Sequence, residues 1–200
     1  MATGARERMI DGAVRLLATK GLQATSFSEV LDLTGAPRGS IYHHFPNGKN
    51  QLVGEALERA AEQVRDSLEG VRGEPAVAVA EHFVGLWRLL LIRTGFAAGC
   101  SVAAVTVAAD SPSLLDEAAK VFRDWSAQLA DLLGEGGAAY DRAEALALTL
   151  IAGSEGAVMI SRAERSIEPF DAVAKLLLEM VRGSTGQPDQ VAGLGQTPAE

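Results

Sequence analysis

"TSFSEVLDLTGAPRGSIYHHFPNGKNQLV", residues 25–53, punctuates two short helices and opens a third. Ser26-Phe27-Ser28-Glu29 has the form of a capping box, in which the Ser26 hydroxyl takes the amide of Glu29 while that carboxylate reaches back. The helix it starts turns Phe27, Val30 and Leu31 inward and breaks at Gly35. Pro37 brings a fixed φ suited to a first helical turn, and only two turns fit before Pro46. Ile41 and Phe45, four apart, fall on one face and tie the second short helix to a core. Arg38, Ser40, Tyr42, His43 and His44 take the other faces, and Gly39 lets another backbone approach.

Two short helices joined by a glycine-containing turn, the second bearing exposed donors, suit a DNA major groove. The groove is about 12 Å wide, so one helix fits and its leading residues meet base edges. The first helix is expected at 27–34, the turn at 34–37 and the recognition helix at 38–44. Other uses of these residues fare worse. Adjacent helical residues diverge by roughly 100°, so His43 and His44 do not share one metal. No carboxylate between residues 35 and 49 orients a histidine, and Ser40 lies in no nucleophile elbow. An inert connector does not call for so many donors. No catalytic group and no metal site is expected, and the chain reads as no enzyme.

Charge supports the same division. The chain of 200 residues has net charge −8. Its first fifty residues nevertheless hold six Lys and Arg against four acids, leaving a mildly basic head on an acidic body. Apolar residues make up 48%, ample for a core. "MATGARERMIDG" has no apolar stretch behind its charges, so no secretory leader is expected. The runs "AVAVA" and "LALTLIAG" look too short to cross a membrane. The single cysteine, Cys100, has no internal partner, which fits a reducing cytoplasm, and with three histidines it builds no usual zinc site.

Around this segment the periodicity stays helical. Ile10, Ala13, Val14 and Leu17 mark a helix from near residue 5 that stops at Gly21. Asn47 or Gly48 opens a long helix with Leu52, Val53, Ala56, Leu57, Ala60, Val64 and Leu68 on one side. Residues 76–94 are apolar on nearly every face, which predicts a helix buried all round. Residues 95–110 read as a loop and short helix, with their β-branched residues leaving a strand as the alternative, and Ser111-Pro112 starts a helix with Leu115, Ala118, Phe122, Trp125, Leu129 and Leu132. "GEGG" precedes a long helix over about 139–163, and a last helix begins near Pro169. The fold is therefore expected to be all-α. An N-terminal three-helix helix-turn-helix DNA-binding domain (1–50) precedes a C-terminal helical domain (51–182) and a disordered tail (183–200).

The quoted segment resembles the DNA-binding domain of TetR-family transcriptional regulators over about residues 5–55. Capping box, turn, Tyr-His-His-Phe ending and following lysine occur in order. That resemblance implies an all-α homodimer with a small-molecule pocket in a divergent C-terminal domain. By position, Ser26 and Ser28 would touch phosphate, Arg38, Gly39, Ser40 and His43 would face bases, and Tyr42, His44 and Lys49 would hold the DNA backbone. Asn47-Gly48 sets Lys49 one residue further from Phe45 than the commoner family form. "FPNGK", "GCSVAAVTVAAD" and "EGAVMISRAERS" are similar to the LmrA/YxaF-type branch, which implies drug- or flavonoid-responsive repression.

In the body, Phe83, Trp87, Phe96, Phe122, Trp125 and Met159 are the large side chains available to line a pocket for a lipophilic effector. Each is also ordinary core material. The two tryptophans lean toward ligand contact because a buried indole needs a polar partner. Thr149, Ala152, Gly153 and Gly156, in a stripe with Ala145, together with Phe170, Val173, Leu177 and Met180, are the expected dimer contacts. Glu155 reads either as an acid paired with Arg88, Arg93 or Arg162 or as a ligand contact. Cys100 reads as a small buried apolar group and His82 as a core-edge residue. The expected partners are a double-stranded DNA operator, a small lipophilic effector and a second copy of the chain, with no membrane and no cofactor. The alternative is a DNA-binding regulator with a solid C-terminal core, governed by a protein partner.

Overall fold

The computed structural model describes residues 4–185, and within them the chain is all-helical. In chain order the helices are α1 (Ala5–Ala24), α2 (Phe27–Thr34), α3 (Arg38–His44), α4 (Lys49–Glu69), α5 (Ala76–Arg93), α6 (Ser101–Ala108), α7 (Pro112–Glu135), α8 (Tyr140–Glu164) and α9 (Glu168–Ser184). Gly21 leaves the helical region at φ 78°, ψ 177°, where the pattern placed the end of α1. The chain then kinks and runs on to Ala24. Ser26 caps α2 by accepting the Glu29 amide at 3.2 Å. The other half of the capping box is missing, because the Glu29 carboxylate pairs with Lys20 across to α1. Gly35 closes α2 in the left-handed region at φ 65°, a conformation that costs glycine little. Pro37 caps α3 from outside at φ −63° instead of lying in its first turn.

Helix α4 joins the two halves. Its N-terminal part packs on α1, and its later turns pack on α7, where the Trp125 indole donates to Ala61 O at 3.3 Å. Helix α6 also lies against α1, and Gly99 N donates to Ala18 O at 2.8 Å. One continuous apolar core therefore runs from Met9 to Val181, through the head and the helical body alike. Helices α7, α8 and α9 pack in sequence, with α5 against all three.

The structure departs from the sequence pattern in four further places. Helix α5 buries Val79, Phe83, Trp87 and Leu91 but exposes Leu89 and Ile92, so it is not buried all round. Leu114 takes the core position given above to Leu115, which is exposed. Helix α9 runs through Gly183 to Ser184, two residues into the expected tail, and Ser184 O accepts the Ala139 amide. The remainder of that tail, 186–200, lies outside the described residues. Finally, α8 is long and apolar enough to cross a membrane by composition, contrary to the reading of its run as too short. It instead packs between α7 and α9, burying Leu146, Leu150, Ser154 and Val158.

Candidate nucleic-acid interface and effector region

The head presents α3 on a rigid base. Ile41 and Phe45 are fully buried, and Phe27 reaches from α2 to touch Tyr42 edge-on at 5.5 Å and Phe45 at 6.4 Å between ring centres. The Arg6 guanidinium covers the Phe45 ring from α1 at 5.7 Å. With one face so anchored, Arg38, Gly39 and His43 point to solvent, and Tyr42 is 69% exposed. His44 is half-buried and its ring meets His43 at 5.5 Å. Ser28 is exposed and Ser26 half-buried at the start of α2. The Ser40 hydroxyl donates to Pro37 O at 2.6 Å and so steadies the first turn of α3. No protein atom comes within 4 Å of where a Gly39 side chain would begin. The room at Gly39 is on the outer surface, not against another backbone of the chain.

Lys49 is placed differently from its neighbours. Its Nζ donates to Leu22 O at 2.7 Å, closing the end of α1, and burial lowers its pKa. In this structure the ammonium ties α4 to α1. Replacing Lys49 by Ala should therefore lower stability by roughly 1.5–3 kcal/mol, the range of a hydrogen bond from a charged donor. Urea unfolding of the free protein measures this; an unchanged midpoint would return Lys49 to a purely DNA-contacting role.

In the body, Phe83, Trp87, Trp125 and Phe122 form an edge-to-face chain with centroid spacings of 6.2, 6.3 and 5.9 Å. Phe83, Trp87 and Trp125 are buried, whereas Phe122 and Phe96 are half-buried. Met159 is 65% exposed on the outer face of α8 and does not belong to the interior set. Of the seven residues expected to meet an effector, Phe122 alone lines a large open cleft, of about 1010 Å³, between α7 and α8. Arg123, Asp131, Tyr140, Glu144 and Leu148 share that cleft, and none of them stood out in the sequence.

Glu155 has no arginine partner. Arg88 forks onto Asp171 at 2.8 and 3.1 Å, Arg162 donates to Phe96 O and Ala97 O at 3.4 and 3.1 Å, and Arg93 is exposed. The ion pair is thus absent because Arg88, at the surface, and Arg162 are both drawn to other acceptors. The Glu155 carboxyl lies near the Cys100 thiol, and its Oε1 is buried without a partner. Burial pushes its pKa up to about 7, partly offset by the Cys100 thiol. Burial, with the nearby Glu155 charge, also holds the Cys100 thiol well above its usual range. Trp87 Nε1 is a second buried polar atom with no partner, unlike Trp125.

The expected dimer contacts divide. Phe170 and Leu177 are buried within the protomer, and Gly153 exists to admit Leu177, whose Cδ2 would stand 3.0 Å from a Cβ there. These three serve the packing of α9 on α8. Thr149, Gly156 and Val173 are half-buried, while Ala152 and Met180 are exposed. With Leu148, Met159, Ile160 and Leu176, which are exposed too, they make an apolar face across both helices.

Two family models cover this architecture. Residues 9–56 match the bacterial regulatory proteins of the tetR family, and residues 75–176 match the LmrA/YxaF-like transcriptional regulator C-terminal domain. The chain belongs to the TetR family. It is a TetR-family transcriptional regulator and not an enzyme. Among its relatives, the uncharacterized HTH-type transcriptional regulator Rv0196 of Mycobacterium tuberculosis is 36% identical over 89% of this chain and 94% of its own. The uncharacterized HTH-type transcriptional regulator YxaF of Bacillus subtilis is 30% identical over 88% of this chain and 95% of its own. The solved TetR regulatory protein of Rhodobacter sphaeroides shares the fold with a TM-score of 0.79 at 22% identity, covering 88% of this chain and 97% of that one.

Proposed function

We propose that this TetR-family regulator is a cytoplasmic homodimeric repressor. It holds a palindromic operator through two copies of α3 and leaves it when a lipophilic molecule enters the helical body. The observation that carries the DNA reading is α3 itself, with Ile41 and Phe45 sunk in the core and Arg38, Tyr42 and His43 facing out. Dimerisation is supported by the apolar face of α8 and α9, which a single protomer leaves in water. Arg38, Gly39, Ser40 and His43 face bases in this reading, and Ser26, Ser28, Tyr42 and His44 contact the DNA backbone. Effector response is supported by two buried polar atoms without partners, Trp87 Nε1 in the aromatic cluster and Glu155 Oε1 on α8. The tight packing of Phe83, Trp87 and Trp125 favours the second reading, a solid core governed by a protein partner.

Selection from random duplexes tests the first reading. The enriched motif should be a palindrome with half-sites about 34 Å apart or somewhat more, bound less tightly as salt rises. Enrichment of no symmetric sequence refutes it. On that operator, Arg38→Ala should relax preference at one position per half-site, at roughly 1–3 kcal/mol if the guanidinium grips a guanine. Uniform weakening over all sequences would move Arg38 to the backbone class. An effector that changes tryptophan fluorescence should lower operator affinity by the same factor by which operator lowers effector affinity; a hundredfold factor is about 2.7 kcal/mol. Fluorescence change without loss of operator binding would favour the protein-partner reading.

A further inference from the structure

We infer that Arg162 of α8 sets the position of the DNA-binding head by clamping the loop 94–100, whose Gly99 holds α1. This rests on the reading above that events in the helical body govern the head, and it identifies a route separate from α4.

The loop between α5 and α6 is gripped from both sides. From α8, Arg162 donates Nε to Phe96 O and Nη2 to Ala97 O, so one guanidinium fixes two successive carbonyls. Two helical turns earlier on α8, Glu155 lies near the Cys100 thiol at the other end of the loop. On the far side, Gly99 N donates to Ala18 O of α1 at 2.8 Å. Cys100 Sγ caps α6, which itself lies along α1, by accepting the Ala103 amide at 3.4 Å. Gly99 is squeezed between these partners. A Cβ there would stand 2.8 Å from Arg162 Nη1, so the guanidinium occupies the space a side chain would need.

The loop holds a conformation that it would not choose alone. Phe96 has φ 64°, in the left-handed region that a bulky aromatic residue avoids at a cost of about 1–3 kcal/mol. Its amide donates to Leu91 O at 2.9 Å, and its carbonyl is one of the two that Arg162 holds. Release of the guanidinium removes a restraint on a strained residue, and the relaxation passes through Gly99 to Ala18. Helix α8 also carries half of the exposed apolar face and Glu155, so a shift of α8 on dimer rearrangement or ligand entry moves the clamp directly.

Amide hydrogen exchange on the full-length protein, without DNA, tests the clamp. Arg162→Gln should raise exchange by at least about tenfold in residues 94–100 and in the second half of α1, with α7 unchanged, because local opening and global unfolding separate in such data. Gly99→Ala should reproduce this by pushing the guanidinium aside. Arg88→Gln, which breaks a surface pair of α5 with α9 and touches no part of the loop, should leave both segments as they were. On the selected operator, Arg162→Gln should weaken binding by at least about tenfold, and operator should slow Gly99 exchange in the parent protein but not in this variant. Faster exchange in the loop with α1 unaltered overturns the proposal, as does no change in either. Faster exchange throughout, α7 included, assigns Arg162 a merely structural part and also overturns it. If the local changes occur but no duplex is selected, the clamp stands and the repressor reading falls.

Discussion

Leu176→Glu is expected to split the dimer and lower operator affinity by at least about a hundredfold. Leu176 is 61% exposed in the protomer, so its replacement removes little from the core and the monomer should keep its helix content. In the proposed interface the same position meets the partner's apolar face, where an unpaired carboxylate costs several kcal/mol. A palindrome is held by two heads whose joint binding exceeds either alone by about 10²–10⁴ when the linkage geometry fits. Losing the linkage loses that factor while each head stays intact. Sedimentation and operator titration measure the two effects together. A dimer that persists with full affinity would place the interface elsewhere. Leu177→Glu provides the contrast, since Leu177 is buried against Gly153 and its replacement should unfold the protomer instead.

That contrast of neighbours shows where the sequence is legible. Helix ends in the head follow from local chemistry. Gly35 at positive φ, Ser26 as a cap and Pro37 before α3 act within a few residues, so reading them needs no knowledge of the fold. The inward set Ile41 and Phe45 follows equally from spacing. Which apolar residue of a long helix faces a partner and which faces the core depends on how helices pack. A window rich in leucine is therefore ambiguous: α5 exposes Leu89 and Ile92, and α9 buries Phe170 and Leu177 while exposing Leu176 and Met180. Gly153 was visible as one of a stripe of small residues. The stripe does not say whether the closely packed neighbour is α9 of the same chain or a helix of another.

Charged side chains with distant partners were the least legible. Lys49 reaches a carbonyl of α1, and Arg162 reaches the loop after α5, both across long stretches of sequence. Backbone carbonyls carry no residue signature, so no motif marks such acceptors. The competing choice for Arg162, the Glu155 carboxylate seven residues before it on the same helix, looks better on paper. It loses because Phe96 and Ala97 present two carbonyls together at the fork of the guanidinium.

Glu155→Gln should accordingly stabilise the protein most at alkaline pH, less in mild acid, and hardly at all below about pH 4.5. The folded-state pKa of Glu155, about 7, lies above the ordinary value of 4.5 because burial disfavours the charged form. Below about pH 4.5 the carboxyl is protonated in both folded and unfolded chains and contributes no penalty. As pH rises toward 7 the unfolded chain gives up a proton that the folded chain retains, so stability falls; above 7 both are ionised and the loss is complete. The interval between the two pKa values corresponds to up to about 3 kcal/mol, reduced where the carboxyl keeps some contact with water. Glutamine has the shape of the protonated acid, so the substitution removes the ionisation and little else. Urea midpoints at pH 5.5 and 8.5, taken at one protein concentration, should show a gap between variant and parent that opens with pH. A gap independent of pH would mean that a cation or water already satisfies Oε1. A gap that opens as expected shows Glu155 retained against stability, and the groups to which that cost belongs are those it touches: Cys100, the loop 94–100 and, through Gly99, the head.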